Sequence, residues 1–194
     1  MATDSRMTLV GALQVLANVR SDQVVVTTMS AAREWMCQSK HPLDFHYVPS
    51  TMGGGFALGL GIAMARPERE VLVLNGDGCL LMNLGSLVTV AVSEAQNFTG
   101  IVIDNGNFET TGGQKLATTN SPIQIADLAR AARFASVSEF DSLPAWKDGV
   151  ADALVQPGPR CIILKVASVE GNHTLKPPGP MSDRTAAFQA ALNS

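Results

Sequence analysis

Five short apolar runs, set among stretches of helical periodicity, constrain this chain more than any other feature. "QVVVTT" (23–28), "FHYVP" (45–49), "EVLVLN" (70–75), "GIVIDN" (100–105) and "RCIILKV" (160–166) read as strands, and most lack the polar alternation of a strand with one face in water. Between them "SAAREWMCQS", "GFALGLGIAMA", "LGSLVTVAVSEA", "IQIADLARAAR" and "LPAWKDGVADALV" read as helices. Strands that are apolar on both faces and joined by helices form a parallel sheet covered on each side. The fold class is therefore α/β, a doubly wound parallel sheet. With 194 residues, 46% of them hydrophobic, the chain has enough apolar material for one core, and 1–194 is read as a single domain.

Charge and cysteine content narrow the function classes. The formal net charge is −3 and no run of Lys or Arg is present, which speaks against nucleic acid and against an anionic membrane surface. Cys37, Cys79 and Cys161 are scattered, with no CxxC pair or histidine cluster for zinc or iron–sulfur ligation, as expected of a cytoplasmic protein. His41, His46 and His173 receive no role. From Met7 to Val19, Leu9, Leu13 and Leu16 recur at helical spacing while Gln14 and Asn18 interrupt the apolar run, so this is a core-facing helix rather than a signal segment. Residues 170–194 change character: Pro and Gly point to an extended arm, lying against a partner if ordered, with a short helix at its end.

One motif then carries the chemistry. "VLVLNGDGCLLMNLG" places Asp77 between two glycines at the carboxyl end of a buried strand, where ligands collect in open α/β sheets. Asn105 follows 28 positions later, at the end of the next strand, and a right-handed crossover of one helix and one strand returns it to the same rim. A carboxylate, an amide oxygen and a loop carbonyl make an incomplete oxygen shell that suits Mg²⁺ when phosphates complete it.

Three segments in order, "STMGGGFALGLGIA" (50–63), "GDGCLLMNLGSL" (76–87) and "DNGNFETTGGQ" (104–114), resemble the diphosphate-binding domain of thiamine-diphosphate-dependent 2-oxoacid decarboxylases. The last two look most like sulfopyruvate and phosphonopyruvate decarboxylases, and the likeness runs from about Leu9 to Val166. The resemblance implies thiamine diphosphate and Mg²⁺ as cofactors. It makes Asp77 and Asn105 side-chain ligands of the metal and the Asn107 carbonyl a third. Backbone groups of Gly78 and Cys79 would meet diphosphate oxygens, with Gly76 and Phe108 beside them. Met52 would support the bent cofactor, and the Ser50 carbonyl and Met52 N–H would grip its pyrimidine edge. Thr28 and Ser30 stand where relatives place hydroxyl groups against the diphosphate, or serve simply as helix caps. The "DN" of Asp104 and Asn105 replaces the usual pair of asparagines, and Cys79 replaces a smaller residue. "GGG" at 53–55 departs from G-x-G-x-x-G, and close helix packing explains it better than a dinucleotide site.

The resemblance also implies something absent. Such enzymes need a glutamate that hydrogen-bonds the pyrimidine ring, and none of Glu34, Glu94 or Glu109 stands in a matching context. No catalytic residue is therefore assigned to this chain, and a separate pyrimidine-binding subunit is expected to supply that glutamate in a hetero-oligomer. The implied reaction is loss of CO₂ from a small 2-oxoacid. Gln114 and Lys115 would meet a sulfonate or phosphonate, or are solvated. A carboligase subunit like those of acetolactate synthases, and a non-catalytic partner that keeps the fold, stand as alternatives.

Overall fold

The computed structural model describes residues 6–169 and 177–194. Six parallel strands form one sheet: β1 (Val24–Thr27), β2 (Asp44–His46), β3 (Val71–Gly76), β4 (Phe98–Asp104), β7 (Ser136–Phe140) and β8 (Arg160–Lys165), in the order β2-β1-β3-β4-β8-β7. A two-stranded antiparallel hairpin, β5 (Asn107–Phe108) with β6 (Gln114–Lys115), follows β4 and encloses a short 3₁₀ turn, Glu109–Thr111. Helices α1 (Leu9–Val19), α2 (Met29–Gln38), α3 (Gly55–Ala65), α4 (Asp77–Leu81), α5 (Gly85–Ser93), α6 (Ile125–Ala131), α7 (Leu143–Val155) and α8 (Met181–Leu192) complete the described residues. The expected doubly wound sheet is present.

Its two cores explain the uniformly apolar strands. Val24, Val26, Val71, Val73, Phe98 and Val102 point to one face, against Phe56 and Leu60 of α3, Leu87 and Val90 of α5, and Ile125 and Ala129 of α6. Val25, Leu72, Leu74, Ile101 and Ile103 point to the other, against Leu13 and Leu16 of α1, Trp35 of α2 and Trp146 of α7. Successive residues face opposite layers, so neither set can be polar. The Trp146 indole N–H, fully buried, donates to the Ala12 carbonyl at 2.9 Å and joins α7 to α1. No helix among the described residues is long and apolar enough to cross a membrane.

Two sequence readings change. β7 was not expected: "SVSEF" pairs with β8 on one side only, and as an edge strand with half-exposed side chains it has no need of a fully apolar run. The arm of residues 170–194 is outside the described residues at 170–176, and beyond them it ends in α8. That helix packs on this chain's own β2, with the Phe188 ring 5.0 Å from that of Phe45.

Candidate active site at three strand ends

The site lies where the carboxyl ends of β1, β3 and β4 sit side by side, at the point where the strand order reverses. One pocket there is lined by Met29, Ser30 and Ala31 after β1, by Gly76, Asp77, Gly78 and Cys79 after β3, and by Asn105, Asn107 and Phe108 after β4. Met52, Ile103 and the turn Glu109–Thr111 complete the lining. Nine of the eleven residues singled out from the sequence therefore meet in one cavity: Ser30, Met52, Gly76, Asp77, Gly78, Cys79, Asn105, Asn107 and Phe108.

Asp77 is the centre of this arrangement. Its side chain is 2% exposed, and its Oδ2 accepts the N–H groups of Asn105 at 2.9 Å and Gly106 at 2.7 Å. Its Oδ1 accepts the N–H of Gly78 at 2.7 Å. The carboxylate thereby fastens the β4 loop to the start of α4. Asn105 is buried too, and its Oδ1 accepts the Asn107 N–H at 2.9 Å while the Asn107 amide donates to the Asn105 carbonyl at 3.0 Å. Gly106 between them has φ +74°, a conformation that glycine adopts without a Cβ clash.

The donor set fits a hard divalent cation. Three N–H groups meet the Asp77 carboxylate and the Asp104 carboxyl approaches it from the side, an oxygen-rich cluster a divalent cation would neutralise, while the Asn105 Oδ1 carries one donor where two are possible. Burial drives the Asp77 carboxyl above the ordinary range, against the pull of the Gly106 and Gly78 N–H groups, and neighbouring Asp104 pushes it further. Burial raises Asp104 likewise, with Asp77, Lys165 and Arg6 pulling it back. Two carboxyls this close and this dry disfavour a double negative charge without a cation. Among the described residues no cluster of three or more His, Cys, Asp or Glu forms a site, so the fitting chemistry is oxygen from carboxylate, amide and backbone.

The neighbouring walls follow from close packing. A Cβ on Gly78 would come 2.6 Å from the Phe108 ring, so glycine lets that ring close over the first turn of α4. The Gly78 N–H is bound to Asp77, and the Cys79 N–H lies beside it in the first turn of α4. The Cys79 thiol has a role the sequence did not reveal: Sγ accepts the N–H of Gly53 at 3.2 Å. Asn83 donates to the Gly53 carbonyl at 3.1 Å. Together they fix the loop that carries Met52 to the α4 segment. Gly53 itself has φ +89°, and a Cβ there would stand 2.8 Å from that of Asn83.

Two predicted residues do not line the pocket. Thr28 is fully buried and its hydroxyl bonds to the Leu74 carbonyl at 3.3 Å and the Asn75 Oδ1 at 3.2 Å, so its side chain ties β1 to β3 and does not cap α2. The hydroxyl of Ser50 donates to the sulfur of the lining residue Met29 at 3.9 Å. Gln114 and Lys115 are exposed, and Lys115 faces a second, polar cleft with Asp104 and Thr119, across the Asn105–Asn107 loop. Six lining residues, Met29, Ala31, Ile103, Glu109, Thr110 and Thr111, were not assigned to the site from the sequence. Met29 has φ +48°, which no sequence pattern announces for a methionine. Glu109 is 4% exposed, its Oε1 accepts the Val169 N–H at 2.9 Å, and its Oε2 lacks a hydrogen-bond partner. Thr110 flanks it.

Residues 24–164 match the family model described as thiamine pyrophosphate enzyme, C-terminal TPP binding domain. The chain belongs to this family. It is 36% identical over 164 residues to a phosphonopyruvate decarboxylase of Streptomyces viridochromogenes, an alignment covering 84% of this chain and 40% of that one. It is 28% identical over 152 residues to a protein of Methanocaldococcus jannaschii named sulfopyruvate decarboxylase subunit beta, covering 78% of this chain and 79% of the relative. The counterpart of that name in Methanothermobacter thermautotrophicus is 38% identical over 104 residues, covering 53% of this chain and 55% of that one. The chain thus spans about 40% of the length of the phosphonopyruvate decarboxylase but most of the Methanocaldococcus beta subunit. A solved structure described as a thiamin diphosphate-dependent enzyme from Mycobacterium smegmatis superposes with a TM-score of 0.70 at 21% identity, over 85% of this chain and 32% of that one, and supports the fold.

Proposed function

We propose that this chain is the diphosphate- and Mg²⁺-binding subunit of a thiamine-diphosphate-dependent 2-oxoacid decarboxylase of the sulfopyruvate or phosphonopyruvate type, active with a separate pyrimidine-binding subunit. The observation that carries this is the convergence of Asp77, Asn105 and Asn107 with the first turn of α4 at three adjacent strand ends. Asp77 and Asn105 hold the metal through side-chain oxygens and Asn107 through its carbonyl, while the backbone at Cys79 receives a diphosphate oxygen. Met52 buttresses the cofactor between its rings, and the Ser50 carbonyl and Met52 N–H orient the pyrimidine. Bound there, thiamine diphosphate supplies a nucleophilic carbon and an electron sink for loss of CO₂. The apolar walls of Met29, Ile103 and Phe108 exclude water from the reacting centre.

Two observations favour a partner chain. Relatives of similar extent are named beta subunits. α3 and α5 carry no charged residue, yet Met64, Val88 and Val92 stand 65%, 55% and 76% exposed, and helices apolar on their outer faces are normally covered. That surface continues through Met82 and Leu84 toward Met52 beside the pocket, since Gly53 abuts Asn83. A pyrimidine-binding subunit seated on it would stand beside the pocket and could bring the missing glutamate to the cofactor.

The test is a steady-state assay of the chain co-purified with its partner, with thiamine diphosphate and Mg²⁺, against sulfopyruvate, phosphonopyruvate and pyruvate. The pair should release CO₂ and an aldehyde from at least one of the first two, and each chain alone should be inactive. No turnover of any of the three would overturn the proposal, full activity of this chain alone would overturn its two-chain part, and a ligated product from two pyruvates would mark a carboligase.

A further inference from the structure

The cofactor loop is reached from an unexpected direction. β2 is three residues long and forms the outer edge of the sheet, so the chain leaving it toward Ser50 and Met52 has β1 on its inner side only. On that side the Tyr47 N–H donates to the Thr27 carbonyl at 2.9 Å, and the His46 Nδ1 pairs with the Thr27 hydroxyl at 2.9 Å. The outer side is held by α8. Its Arg184 guanidinium donates through one terminal nitrogen to the His46 carbonyl and through the other to the Val48 carbonyl. The Nε of the same group donates to the Gly179 carbonyl at 3.2 Å, just before α8, so three carbonyls share one planar fork. Phe188, one turn further on, is buried against Phe45 and keeps the helix seated.

We infer that Arg184 is a positioning residue for the cofactor loop, acting through the His46 and Val48 carbonyls on the backbone that delivers Ser50 and Met52 to the pocket. Beyond Val48 the loop is short and internally braced: the Thr51 N–H donates to the Tyr47 hydroxyl at 3.3 Å and the Gly54 N–H to the Thr51 carbonyl at 2.9 Å. At its far end it is anchored to α4 through Cys79 and Asn83. With both ends fixed, the height of Met52 over the pocket follows from where Arg184 holds the near end. A lysine at this position donates from a single nitrogen and lacks the planar fork of three separate nitrogens that reaches the three carbonyls at once.

The inference rests on the reading of Met52 as a cofactor support, and the experiment separates the two. Hydrogen exchange is followed by mass spectrometry in the full chain as wild type, Arg184→Met, which retains the aliphatic stem that seats α8, and Arg184→Lys. In parallel, Mg²⁺-dependent thiamine diphosphate affinity is measured on each chain assembled with its partner, with Met52→Ala alongside. In Arg184→Met, exchange over residues 46–54 should rise about tenfold with β3 and β4 unaltered, and Kd for the cofactor should rise about tenfold. Arg184→Lys should fall between. Unchanged exchange over 46–54, or an increase spread evenly through β3 and β4, would overturn the inference. Cofactor affinity lowered by Met52→Ala but not by Arg184→Met would overturn it alone, while affinity indifferent to Met52→Ala would remove the reading beneath it.

Discussion

At Asp77 a single carboxylate has two tasks, and their compatibility explains why the residue is buried. Three N–H groups draw the β4 loop and the α4 turn together around it, and the same carboxyl lines the pocket beside Asp104, where the proposed metal would sit. Glu109 shows the same economy on the opposite wall: one oxygen is tied to the Val169 N–H and the other has no partner. Replacing Glu109 by Gln keeps an acceptor for Val169 and should leave unfolding free energy within about 0.5 kcal/mol of wild type. Glu109→Ala removes the acceptor of the Val169 N–H and should cost about 0.5–1.5 kcal/mol, measured by urea denaturation. The pairing of Asp77 with Asn105 was legible because a spacing of 28 fits one helix and one strand, which fixes where the chain returns. The cap reading of Thr28 failed because a hydroxyl announces a hydrogen bond without its partner, and here the partners are Leu74 and Asn75. Met29 gave no signal at all, since its place in the pocket depends on a backbone angle.

Among elements, α3 shows how a small-residue pattern becomes packing. A Cβ at Gly59 would lie 2.1 Å from the Val73 Cγ2 on β3, whereas one at Gly61 would meet nothing within 4 Å. The same substitution in one helix should therefore have opposite signs: Gly59→Ala lowers stability by about 1–3 kcal/mol through overpacking, and Gly61→Ala raises it by about 0.5–1 kcal/mol through helix propensity. Thermal melts of the two variants check this. β2 carries a pH dependence. Burial lowers the proton affinity of His46 below its ordinary 6.5, Asp44 pulls it back, and Arg184 depresses it further. The unfolded chain takes up the proton as pH falls through 6.5 and the folded chain does so only lower, so this contribution is present above 6.5 and is lost on acidification. The slope is at most about 1.4 kcal/mol per pH unit. Melting curves from pH 8 to 5 should show that decline in wild type and a flatter one in His46→Gln. The central strands were readable because burial on both faces leaves them no polar choice, while β7 was hidden by the freedom of an edge strand to carry Ser and Glu.

For the whole molecule, sequence and fold agree on the arrangement that matters: strand ends β1, β3 and β4 adjacent, with the three motif segments brought to one rim. The seating of α8 on β2 was not legible, because its anchors, Arg184 and Phe188, are ordinary residues far in sequence from their partners. The uncharged outer face of α3 and α5 gives a test at this scale. Val88→Asp with Val92→Asp, both at exposed positions, should leave the isolated chain folded but weaken assembly with the proposed pyrimidine-binding partner by at least about tenfold, read by analytical ultracentrifugation. The central claim, that the rim holds a diphosphate through a divalent ion, is tested most directly by calorimetric titration of thiamine diphosphate into the assembled pair. Binding should be saturable with Mg²⁺, should vanish with EDTA, and should weaken at least ~100-fold in Asp77→Asn, about 2.7 kcal/mol. Cofactor binding of equal strength with EDTA present, or in Asp77→Asn, would contradict it.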